Sequence, residues 1–153
     1  MNSFGAVVGF GLLLVRPAML VIVTPFFGAL NAPPQMRVGV TLILAFILAP
    51  IVRTPEALSA TALAVVITRE VAIGLALALA IRTLIFAAEF AGQFAGYQLG
   101  LSMGALIDPQ SGVRNNALAL LYANVAVIVC FAANAHHLLV RALVDSYRSL
   151  PMG

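Results

Sequence analysis

Long apolar runs, separated by short polar breaks that carry proline, set the pattern of this chain. The first run extends from about Phe4 to Leu30, with Arg16-Pro17 and Pro25 inside it. A proline within a helix removes one backbone hydrogen bond and crowds the preceding turn, so kinks are predicted there. The segment NAPPQMR, 31–37, cannot continue a helix and ends the run. A second run, Val38 to Val52, has 15 residues. As helix it reaches about 22 Å, short of the roughly 30 Å hydrocarbon core of a bilayer. PIVRTPE, 50–56, is the next turn.

The third run is the longest. From Ala57 to Ile107 there are 51 residues without a proline, about 75 Å of helix if unbroken. That is more than twice the hydrocarbon core, which predicts two helices or a bent hairpin, with the break between Arg82 and Gly92. DPQSG, 108–112, reads as a loop, with Pro109 and Gly112 as breakers. A fourth run goes from Ala117 to about Val144 and ends in the polar DSYRSLPMG. The expectation is an all-α polytopic membrane protein of about four to five hydrophobic helices, with residues 1–153 as a single helical membrane domain.

Composition strengthens that reading. Hydrophobic residues make up 63% of the chain and charged residues only 8%, with a mean hydropathy of +1.10. A soluble domain of this size carries about a quarter charged residues. All eight basic residues are arginine, and they are scattered singly, which excludes the clustered charge of a nucleic-acid binder. Arg37, Arg53, Arg114 and Arg148 fall in successive connections, so loop charge gives no orientation. The N-terminal run lacks a basic leader and is read as a retained helix, not a removed signal peptide. Cys130 is the lone cysteine in an apolar run, a small buried hydrophobe.

Charges inside the apolar runs change the picture. Arg16, Arg69, Glu70, Arg82 and Glu89 each cost about 2.5–3.5 kcal/mol near a helix centre if unpaired. They must be paired, hydrated or covered by protein. Arg82 and Glu89 are two turns apart and share a face. Arg69 and Glu70 point about 100° apart and cannot pair with each other within one helix. At least one needs a partner from another helix or another subunit. The expectation is that these five charges pair across subunits of a larger assembly; the alternative is that several snorkel to an interface.

Candidate chemistry centres on GQFAGYQLGLSMG, 92–104, where Gly92, Gly96, Gly100 and Gly104 recur every fourth residue. Such a ridge lets two helix backbones approach closely. The same stretch spells GxSxG around Ser102, and Asp108 or Asp145 followed by His136 or His137 completes a serine-hydrolase order. A nucleophile elbow needs a strand-to-helix turn on a parallel sheet, and no alternating β/α pattern exists here. Catalysis is not expected. Adjacent histidines on a helix make a poor chelate, so His136-His137 is read as interfacial hydrogen bonding, and neither metal nor cofactor is expected.

The ordered set of these features resembles the N-terminal part of the FliR/SctT family, the export-gate subunits of flagellar and injectisome type III secretion. The resemblance rests on Arg16-Pro17, Pro25-Phe26-Phe27, Pro34 with Arg37, and REVAIGLALALAIR (69–82) carrying Glu70 and Gly74. It continues through EFAGQFAGYQLGLSMGALIDPQSG (89–112) and NAHHLLVRALVDSYRSLPMG (134–153), with His136, Ser146 and Pro151. It implies a subunit built from kinked helical hairpins in the bacterial inner membrane, within the flagellar basal body. FliP-like and FliQ-like subunits would be its partners, with an FlhB-like subunit beside them, around a pore for unfolded secreted proteins. The stretch Leu101 to Asn116 corresponds to the family's plug, so Leu101, Met103, Leu106, Ile107, Asp108, Pro109 and Gly112 would line the gate loop.

Two departures stand out. Ala135 occupies a place where many members have glycine, and the sequence stops at Gly153 where the family continues into a FliQ-like portion. The chain is therefore expected to lack that portion. NAHH and LPMG lean towards the flagellar branch, while DPQSG fits both branches. The rival readings are an injectisome export-gate subunit and a small multi-span transporter or assembly factor.

Overall fold

The computed structural model describes residues 3–24, 33–52, 59–100 and 117–152, and five helices follow one another among these described residues. They are α1 (Ser3–Val23), α2 (Pro34–Leu48), α3 (Ala60–Gln98), α4 (Ala117–Ala132) and α5 (Ala135–Ser149). No strand occurs among the described residues, and the all-helical expectation holds.

Local signals account for several helix ends. Pro34 opens α2 at a position where the missing N–H costs nothing. The Ser59 Oγ accepts the Ala62 N–H at 3.3 Å and so caps the start of α3. Gly100, at φ +72°, sits just beyond the end of α3 in the left-handed region, where glycine carries no Cβ penalty. Asn134, at φ 56°, separates α4 from α5, and asparagine is among the few side chains that enter this region readily.

Several boundaries differ from expectation: α2 already starts at Pro34, inside the segment read as a break, and ends at Leu48. The break predicted between Arg82 and Gly92 does not form, because α3 runs unbroken from Ala60 to Gln98. Without a proline every interior amide keeps its acceptor four residues back, and a glycine costs only about 1 kcal/mol. The fourth run, expected to continue to about Val144, breaks instead at Ala133-Asn134. His136 and His137 therefore lie in the first turn of α5; their ring centroids are 4.2 Å apart.

The chain divides into two compact units, residues 1–80 with 136–153, and residues 81–135. In the first unit, Leu12, Leu13, Leu20 and Val21 of α1, Leu44, Ala45 and Leu48 of α2, and Leu139, Leu143 and Tyr147 of α5 are buried. Phe10 meets Phe46 edge to face, centroids 6.0 Å apart. In the second unit, Ile85 and Gly92 of α3 and Ala119 and Cys130 of α4 turn inward.

By length and apolarity α3 can cross a membrane, and α4 with α5 can do so as a broken pair. Its most apolar window has a mean hydropathy of 2.3 and is only 17% buried. Phe86, Phe90, Phe94 and Tyr97 are each more than half exposed. On a helix they lie opposite Gly92, so this helix presents its aromatic side outward.

Candidate functional site

The polar centre of the first unit grows from the dipeptide Arg16-Pro17. Proline has no N–H, so the Leu13 carbonyl loses the donor a helix would give it. The Tyr147 hydroxyl takes that place and donates to the Leu13 O at 3.2 Å. The ring of the same tyrosine lies under the Arg16 guanidinium, 4.2 Å from carbon to centroid, a cation–π contact in a desolvated setting. One side chain of α5 thus answers two adjacent needs of α1.

Arg16 itself is fully buried, and its donors are distributed over three elements. Nη2 donates to Glu70 Oε1 at 2.8 Å and to the Leu150 carbonyl at 2.7 Å. Nη1 donates to the Ser146 Oγ at 3.1 Å, and that hydroxyl passes its own proton to the Leu143 carbonyl at 2.7 Å. Nε and Glu70 Oε2 form a second ion contact, without hydrogen-bond alignment. Burial strips both ions of water, which only paired geometry with further hydrogen bonds can offset. The planar fork of arginine suits this; a lysine ammonium would serve fewer acceptors.

Close backbone approach makes the pairing possible. A Cβ on Gly74 would stand 3.0 Å from the Arg16 carbonyl oxygen and 3.0 Å from the Met19 Cβ. Gly74 lies one turn beyond Glu70, and Ala78, fully buried, lies one turn further. Val66, Glu70, Gly74 and Ala78 form a buried stripe on the first part of α3. In the second unit Gly92 plays a comparable part. A Cβ there would meet the Leu118 carbonyl oxygen at 2.7 Å, the Ala119 Cα at 2.8 Å and the Tyr122 Cβ at 2.9 Å.

The residues singled out from sequence are therefore scattered. Arg16 and Glu70, expected to seek partners across a subunit boundary, find each other inside the chain. Arg69 donates to the Pro151 carbonyl at 2.6 Å. Arg82 is exposed and Glu89 half-buried. Gly92 and Gly96 are buried, whereas Gly100 has open space around it. Gly104 and the plug positions Leu101, Met103, Leu106, Ile107, Asp108, Pro109 and Gly112 lie outside the described residues, as does Ser102. No group of three or more metal-ligating side chains occurs among the described residues.

Sequence reasoning missed Tyr147 as the substitute donor and Gly74 as a contact point. The proline at 17 signalled the first, since it announces a free carbonyl at 13. The i, i+4 series Glu70, Gly74, Ala78 signalled the second.

Apolar helices joined by a buried ion pair and by glycine contacts define a helical membrane protein. A family model described as bacterial export proteins, family 1, matches residues 7–153. The chain belongs to that family, the FliR/SctT family of type III export components. This is a structural family of the secretion apparatus, not an enzyme family. Membership places the chain with other export components at the inner membrane. No curated protein matches the sequence.

Proposed function

We propose that this chain is a structural and gating subunit of the flagellar type III protein export gate. It forms part of the pore for unfolded substrates together with FliP-like and FliQ-like subunits. The observation that carries the reading is the family match across residues 7–153. Segment 101–116 acts as the plug, and Gly92 supplies a close helix contact on the way to it. Glu89, half-buried on the second unit, is a charge that neighbouring subunits could meet. The preference for the flagellar branch rests on NAHH (134–137) and LPMG (150–153).

The test is co-purification from cells that carry the partner subunits, joined to a motility assay on a deletion strain. Recovery with FliP-like and FliQ-like proteins and loss of swimming are expected. Isolation as a lone monomer under gentle detergent contradicts the assembly reading. Intact swimming with lost effector secretion moves the chain to the injectisome branch. Shortening 104–112 in an assembled gate is expected to raise membrane conductance, and unchanged conductance removes the plug assignment.

A further inference from the structure

The segment after α5 is held in an unusual way. Pro151 cannot donate a backbone hydrogen bond, so the chain leaves the helical path there. Two guanidiniums from two other helices hold it by its carbonyls: Arg16 of α1 takes the Leu150 O, and Arg69 of α3 takes the Pro151 O. Met152 then turns inward and is 4% exposed.

The two grips are unequal. Arg16 is buried and also committed to Glu70, Ser146 and the Tyr147 ring. The Arg69 grip is an exposed hydrogen bond. Neither depends on the other, because Arg69 and Glu70 point to different sides of α3.

We propose that residues 150–152 form a releasable strap, latched on the outside by Arg69 and on the inside by Arg16, with Met152 as its plug into the first unit. Opening starts at Arg69 and frees Pro151 and Met152 while the Arg16–Glu70 pair stays closed. The exit of the chain from α5 is thereby tied to the positions of α1 and α3. This inference goes beyond the export-gate reading and stands without it.

Methionine oxidation reads the strap directly, because a buried thioether is shielded from peroxide. The chain purified in detergent is treated with hydrogen peroxide, and each methionine is followed by mass spectrometry. Met36, 61% exposed, marks full access, and Met19, against Gly74, reports whether the helices stay packed. Met152 is expected to oxidise far more slowly than Met36. Arg69→Ala is expected to raise the Met152 rate about tenfold, the worth of one charge-assisted hydrogen bond, with Met19 unchanged. Met152 reacting as fast as Met36 in the parent chain, or an unchanged rate in Arg69→Ala, overturns the proposal. Should Met19 also accelerate, Arg69→Lys decides. Restored protection of Met152 by the new ammonium supports the latch, and continued exposure refutes it.

Discussion

Tyr147→Phe is the sharpest probe of how α5 is fixed to α1. The substitution keeps the ring under the Arg16 guanidinium and removes only the hydroxyl that donates to the Leu13 O. That carbonyl lacks a helical donor because residue 17 is proline, so it is left buried and unsatisfied. Such a loss costs about 1–3 kcal/mol. Pro17→Ala restores an N–H whose helical acceptor is the same carbonyl, four residues back. In that background the hydroxyl is redundant, and Tyr147→Phe is expected to cost under about 0.5 kcal/mol, the usual error of additivity for independent sites. The four proteins of this double-mutant cycle are unfolded in mixed micelles, with helicity followed by circular dichroism. The coupling energy is expected to be about 1–2 kcal/mol, most of the 1–3 kcal/mol penalty. Equal costs of Tyr147→Phe in both backgrounds refute the substitute-donor reasoning, whatever Pro17→Ala does alone.

Two further outcomes follow from the same geometry. Glu70→Ala leaves the fully buried Arg16 charge without its counterion and is expected to cost about 3–5 kcal/mol, whereas the double replacement Arg16→Met with Glu70→Met should cost distinctly less; unfolding midpoints of the three proteins compare them, and a double variant worse than the single one contradicts the account. Gly92→Ala is expected to destabilise by about 1–3 kcal/mol, because the new methyl meets backbone of α4. Gly11→Ala, with open space around it, is expected to stabilise by about 0.5–1 kcal/mol, and the two signs must differ.

Much of the architecture was legible in the residues. The NAPPQMR break, with Pro34 opening α2, separates the first two helices, since proline acts locally through its missing donor and fixed φ. The membrane class follows from composition, because too few polar side chains exist to cover a wetted surface. The family, too, could be read from the ordered motifs.

Pairing could not. Arg16 and Glu70 are 54 residues apart, and no local rule says which of five charges finds which partner. The continuity of α3 past Arg82 and the break at Asn134 also differ from what the apolar pattern predicts. The first involves distant atoms, the α4 backbone packed on Gly92; the second turns on a single backbone angle, the left-handed Asn134, which residue spacing does not announce. The sequence by itself determined that there are helices, that they are apolar, and that charges within them need compensation. Only the tertiary structure decided that Arg16 and Glu70 compensate each other inside the chain, because Coulombic pairing and carbonyl satisfaction depend on distances across helices that sequence spacing does not encode.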